Sequence, residues 1–189
     1  MAKARPTVLF PSRSHLRDWM AQNHAISGSI WLASYKKPHP DYVPYPDFVA
    51  ELLCWGWVDS LPKSIDATQS GLLIAPRNPR SAWSAINKAH VARNRAAGLM
   101  APPGETAVAT AMANGMWDFL NDVDALIDPP DLVQVLGDNL ATWTAFPKSV
   151  RRGTLEWVKM AKTPGTRAAR IAEIATSTAA GLRPKLFRR

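Results

Sequence analysis

The chain has a single cysteine, Cys54, among 189 residues. That excludes an internal disulfide framework and any metal cluster built on several cysteines. Cys54 lies in the apolar run Leu52-Leu53-Cys54-Trp55, where a thiol is a packing group rather than a nucleophile. Long hydrophobic runs are also missing. No stretch approaches the roughly 18–20 apolar residues of a membrane span. Between Met1 and Phe10 there are two positive charges and an apolar run of only three residues before Pro11. A secretory segment needs about 7–15, so the expectation is a cytoplasmic protein. Histidine is scarce, at four residues: His15, His24, His39 and His90. None has a partner at i+4, and no His/Cys/carboxylate spacing suits a metal, so neither a metal nor a cofactor is expected. Glycine-rich phosphate loops are lacking too, which leaves no nucleotide motif.

What is present is charge, unevenly placed. The net charge is +8. Residues 1–101 hold 12 Lys/Arg against 6 Asp/Glu, residues 102–147 hold 7 Asp/Glu and no Lys or Arg, and residues 148–189 hold 11 Lys/Arg against 2 Glu. A basic chain can bind nucleic acid by counterion release. Here an acidic segment lies between two basic ones and can neutralise them within the fold. A nucleic-acid partner is therefore possible but not favoured.

Ser12 or Ser14 caps a first helix ending near Asn23, and Ser29–Lys36 reads as a strand. A second helix begins at Pro46, suited to a first helical turn, and stops at Gly56. Strands follow at 57–60 and 70–75, joined through polar residues 62–68. Ser81 or Ser84 opens a helix running to Gly98. The run Pro102-Pro103-Gly104 marks a boundary. Beyond it only short helices are expected: 105–116, 117–127, 131–136, 140–146, 150–161 and 167–180, then a frayed basic tail from Arg183. The expected architecture is α+β: a small antiparallel sheet with helices over residues 1–101, then an all-helical part, residues 102–189, packed on the first.

Two segments concentrate bulk and charge. Trp57, Asp59, Arg77, Arg80, Trp83 and Asn87 are candidate ligand-binding residues, because aromatic faces stack on planar or cationic groups and arginine forks hold carboxylate or phosphate. Along a strand Trp57 and Asp59 share a face. If Trp57 points into the core, Asp59 needs a partner, and Arg77 or Arg80 is the obvious one. The competing reading is structural: an arginine packed on tryptophan, and Ser81 and Ser84 as helix caps. His90, three residues beyond Asn87, reads as a surface residue. The basic stretch of Arg151, Arg152, Lys159, Lys162, Arg167 and Arg170 reads as a solvated face docked on the acidic segment.

Three runs carry a family resemblance. They are Tyr45 followed by Ala50-Glu-Leu-Leu-Cys-Trp-Gly-Trp-Val-Asp59; Pro76-Arg-Asn-Pro-Arg-Ser-Ala-Trp-Ser-Ala-Ile-Asn87, with Gly98-Leu-Met100; and Lys148 to Ile171, which includes Lys162-Thr-Pro-Gly-Thr-Arg-Ala-Ala-Arg-Ile171. In this order they resemble the YdeI/OmpD-associated, or bacteriocin-protection (OmdA-like), family. The first half is similar to the YjbR/CyaY-like superfamily, a small α+β fold. The chain departs from the family pattern at Ser60, Asn78 and Ala82. The resemblance implies a part in resistance to antimicrobial peptides or bacteriocins, acting by binding, and an association with an outer-membrane porin. It brings no catalytic residues. The expected ligand is an unknown anion or a cationic peptide. The alternatives are a nucleic-acid or phosphate-rich ligand bound by the basic C-terminal region, and an enzyme acting on a small anionic substrate at the Arg/Trp site.

Overall fold

The computed structural model describes residues 5–188; residues 1–4, where an export signal would begin, and Arg189 at the end of the basic tail lie outside the described residues. The architecture is α+β, with a small four-stranded mixed sheet in the N-terminal half and mostly helices after it. The chain divides into two compact units at Phe119/Leu120. Among the described residues no helix is long and apolar enough to cross a membrane.

In the first unit, β1 (Thr7–Leu9) is followed by α1 (Arg13–Asn23), β2 (Ile30–Tyr35), α2 (Tyr45–Cys54), β3 (Trp57–Ser64), β4 (Gln69–Pro76), α3 (Ala85–Ala96) and α4 (Pro102–Ala113). The sheet order is β1-β2-β4-β3. The β2, β4 and β3 strands are antiparallel to their neighbours, as expected, but β1 joins β2 in parallel. Three residues, 7–9, are too short a run to carry an alternation signal, which is why sequence alone did not mark this strand. β3 continues through Pro62 to Ser64, with an irregularity between Asp59 and Pro62. It is an edge strand, where a proline loses no ladder hydrogen bond.

Local signals place the helices. Ser12 caps α1 by accepting from the His15 N–H, and Ser84 caps α3 by accepting from the Asn87 N–H. Gly56 and Gly98, with φ of 68° and 65°, end α2 and α3 in the left-handed region that glycine enters freely. The prolines at 102 and 103 open α4 rather than separating two domains, because a first turn tolerates a missing N–H. Gly104 is needed where α4 crosses α2: a Cβ there would stand 2.2 Å from the Cys54 carbonyl oxygen.

α2 is the centre of the unit and is buried from Phe48 to Cys54. Phe48 and Leu52 face a core under the sheet with Leu16, Met20, Leu32, Trp57 and Ile74. Val49 and Leu53 face a second core with Trp83, Val91 and Val108. A helix covered on two sides has little room for a charge, yet Glu51 has no exposed surface. Its Oε2 accepts from Arg13 Nε at 2.7 Å, and its Oε1 from Arg17 Nη1 at 2.7 Å and Trp55 Nε1 at 3.0 Å. Arg13 Nη2 reaches Asn94 Oδ1 at 3.3 Å, and Asn94 Nδ2 donates to the Ala50 carbonyl at 2.7 Å. One carboxylate thus ties α1 to α2, and through Asn94 to α3. His90, expected at the surface, is buried on α3, and its Nδ1 lies 3.0 Å from Arg93 Nη2.

In the second unit, α5 (Asn121–Asp124), α6 (Pro130–Leu136), α7 (Leu140–Thr144) and α8 (Lys148–Lys159) precede α9 (Pro164–Ala179), on which α6, α7 and α8 pack. Leu120, Val123, Leu132, Leu136, Trp143, Val150, Leu155, Val158, Ile171 and Ile174 are its buried apolar residues. The described part of the tail is not frayed. It forms a short helical turn, Lys185–Phe187, and the Phe187 ring lies against Gly153, where a Cβ would come within 2.5 Å of it. The glycine makes room for the ring, a pairing of distant positions that composition does not reveal.

Two tests follow from the buried network. Removing one partner of a buried ion pair strands the other, at a cost of about 3–5 kcal/mol. The double change Arg13→Ala and Arg17→Ala, which leaves Glu51 buried without a cation, is expected to lose stability on that scale in urea unfolding, whereas a change at exposed Asp18 is not. Burial, then the neighbouring Arg93 and Arg13, hold His90 below its ordinary value of 6.5, with Asp47 opposing. As pH falls below 6.5 the unfolded chain takes up this proton first. Stability is therefore complete above that pH and declines down to the lower folded value. Unfolding free energies between pH 8 and pH 5 should show this fall, and His90→Gln should flatten it.

Candidate functional site

The six sequence candidates lie at one end of the sheet, in the loop leading into α3 and, for Asn87, in the first turn of α3. Trp57 is 1% exposed in the core under the sheet, and its Nε1 donates to the His24 carbonyl at 3.3 Å. Trp83, also 1% exposed, belongs to the second core and stands 5.2 Å from the ring of Trp117. The Arg77 guanidinium lies over the Trp83 ring at 4.0 Å and donates through Nη2 to the Ala82 carbonyl. Arg80 is exposed, with its backbone N–H on Asn78 Oδ1 at 2.9 Å. The Asn87 backbone N–H meets the Ser84 cap. Arg77 and Trp83 are therefore in direct contact, while Trp57 and Trp83 are placed in separate cores.

Asp59 does share the core-side face with Trp57, but its partner is not an arginine. The Tyr45 hydroxyl donates to Asp59 Oδ2 at 2.6 Å. Burial, then the bond to Asp59, push the Tyr45 phenol up to about 12, so the phenol keeps its proton at any physiological pH. The Arg77 Nε and Nη1 are buried with no hydrogen-bond partner, and burial lowers the guanidinium to about 10 despite the pull of Asp59. At neutral pH it remains a cation with two unmade hydrogen bonds, and the tryptophan face supplies part of the lost solvation.

Tyr45 leads to a cleft that the sequence did not mark. About 210 Å³ opens between the start of α2 and the sheet, with Tyr42, Tyr45 and Phe48 as aromatic walls, Leu32 and Leu72 beneath, and Lys63 from β3, whose Nζ stacks on the Trp31 ring at 3.9 Å. Ser34 and Ser70, directly opposed in the ladder, line it too, with their hydroxyls 3.3 Å apart. Tyr42 and Val43 come from the proline-broken loop, where no periodicity operates. Only the pairing of β2 with β4 brings Ser34 to Ser70. The alternation of strand side chains was the one available signal, and it requires the register to be known.

Residues 8–107 match the model of a domain of unknown function (DUF8412). The chain belongs to that family. Residues 126–181 match a second family model, described as Bacteriocin-protection, YdeI or OmpD-Associated (OmdA). The OmdA resemblance read from the sequence is thus carried by the second unit. The DUF8412 match covers the sheet, α2 and α3, and neither match puts that half in the YjbR/CyaY-like superfamily. No curated protein and no solved structure matches the chain.

In the second unit the acidic and basic segments meet. Lys159 pairs with Asp122 at 2.5 Å, Arg152 with Asp124 at 2.8 Å, Arg151 with Asp128 at 2.8 Å, and Arg167 with Asp131 at 2.7 Å. Arg152 also reaches Glu156 one turn on. Trp143 Nε1 donates to the other oxygen of Asp128 at 2.9 Å. Four cations on α8 and α9 are thus matched to four aspartates of the 122–131 stretch. Burial alone would raise Asp122, but its bonds to Lys159 and to backbone N–H groups hold it below the usual carboxylate range, and the bond to Arg167 holds Asp131 below it too. Cations so committed have few counterions to release to a polyanion.

The Arg77 geometry sets a test. A buried cation with unmade hydrogen bonds contributes little net stability, and an apolar residue of similar shape is often neutral or better. Arg77→Met is expected to hold the unfolding free energy within about 1 kcal/mol of the parent, or to raise it. A loss well above that, in thermal or urea unfolding, would show that the Trp83 stack is a principal support of the loop.

Proposed function

We propose that the protein acts by binding rather than catalysis. One apolar or aromatic side chain of a cationic peptide enters the tyrosine cleft of the first unit, and Asp59, pinned to the cleft wall by Tyr45, takes the neighbouring positive charge. This capture serves resistance to antimicrobial peptides or bacteriocins; the OmdA description names bacteriocin protection. The observation that carries the reading is the cleft. At about 210 Å³ it is smaller than the roughly 300–1,000 Å³ of pockets that enclose whole small ligands. It suits one side chain of a longer molecule.

Further support comes from what the other charges are doing. The enzyme alternative draws on Arg77 and Arg80 together, and of the two only Arg80 is exposed, while Arg77 lies packed on Trp83 with two of its nitrogens buried. The nucleic-acid alternative needs free cations in the C-terminal region, and four of them are engaged by aspartates. Of the six sequence candidates, Asp59 contacts the ligand in this reading. Trp57 fixes the strand end that carries it. Arg77, Trp83 and Asn87 shape the adjoining loop, from which exposed Arg80 repels or orients a cationic chain.

Calorimetric titration with a lysine-rich amphipathic peptide and with its glutamate-substituted counterpart tests this. The cationic peptide is expected to bind and the acidic one not. Asp59→Asn and Tyr42→Ala should each weaken binding about tenfold, or about 1.4 kcal/mol, without lowering the melting temperature by more than a few degrees. Equal affinity in the parent and both variants, or preference for the acidic peptide, removes the assignment.

A further inference from the structure

The second unit contains a groove whose charges are not matched. Arg170 and Lys185, unlike the four cations facing the 122–131 stretch, have no carboxylate within ion-pair distance among the described residues. Both line the same hollow of about 480 Å³, beside Trp157 and Leu186. The Arg170 guanidinium lies 4.9 Å from the Trp157 ring, and its Nη1 donates to the Trp157 carbonyl. This fixes the side chain, and among the described residues the Nε–Nη2 edge has no hydrogen-bond partner. A second hollow of about 320 Å³ shares Glu173 and Lys185 with the first and continues past Leu182. Leu182 and Leu186 are 49% and 52% exposed.

Glu173 is the one carboxylate lining either hollow, and it is already engaged. Its Oε1 accepts from the Ser177 hydroxyl at 2.7 Å and the Lys185 amide at 2.9 Å, and Arg188 stands 3.6 Å away. Its Oε2 is buried. The open charge of the groove is therefore positive, and its walls are largely apolar. The two hollows together run beside α9 from Thr166 to Ala180. At 1.5 Å per residue that is about 21 Å, the length of an extended aliphatic chain rather than of a compact metabolite.

We propose that this groove binds a long-chain carboxylate. The headgroup pairs side-on with the Nε–Nη2 edge of Arg170, a planar fork that matches a carboxylate, and Lys185 supplies the second positive charge. The chain lies against Trp157, Leu186 and Leu182 and removes their apolar surface from water. The site lies within the second unit and does not depend on the tyrosine cleft.

The test is titration of the full chain with dodecanoate below its micellar concentration at pH 8. Binding at one site is expected, in the micromolar range. Lys185→Ala and Leu186→Ser, both at exposed positions, should each weaken it about tenfold. Acetate, which lacks the chain, and dodecyltrimethylammonium, which reverses the charge, should not bind. Failure of dodecanoate to bind overturns the proposal. So does equal binding by both variants, or by dodecyltrimethylammonium. A more than tenfold preference for dodecyl phosphate overturns the carboxylate headgroup.

Discussion

Glu51 is the charge around which the first unit is assembled. It sits on a helix buried on two sides, where an isolated carboxylate would be prohibitive. Two arginines from α1 and an indole from the end of α2 satisfy it at 2.7–3.0 Å. Arg13 and Arg17 stand four residues apart on one face of α1, and Arg13 passes the constraint to α3 through Asn94. Apolar cores above and below α2 tolerate some sliding, because hydrophobic contact has no direction. A carboxylate held by three donors does not. This network sets where the helices lie, and so where the sheet presents Ser34, Ser70 and Asp59.

The second unit handles charge differently. Its aspartates and its cations come from separate parts of the sequence, 122–131 and 151–167, and meet in pairs. Most of these pairs are partly exposed, so each adds little by itself. Their combined effect is on what the surface offers. A chain with a formal charge of +8 has far fewer free cations than that number suggests, and those left unpaired beside apolar surface become the informative ones.

Tryptophan serves two purposes. Trp57 and Trp83 fill the two cores of the first unit, and Trp83 also carries the cation of Arg77. Trp157 stays near the surface and holds Arg170 in place. Density of tryptophan and arginine in a sequence therefore does not separate a scaffold from a site. The contrast lies in which nitrogens are buried and which are open, and only coordinates supply it.

The sequence by itself determined the α+β class, the run of helices after the sheet and most helix ends, because caps, first-turn prolines and terminal glycines act within a few residues. Ser12, Ser84, Gly56 and Gly98 each do what their local chemistry requires. It also carried the OmdA resemblance, in a run of residues that holds whatever the rest of the chain does. Tertiary structure decided the rest. The parallel placement of three-residue β1, the burial of Glu51 and His90, and the choice of Tyr45 over an arginine for Asp59 join residues 14 to 81 positions apart. The tyrosine cleft and the groove beside α9 are spaces between such partners. A sequence pattern reports what each residue prefers. It does not report which distant residue arrives to meet it, and directional bonds in a low-dielectric interior make that meeting decisive.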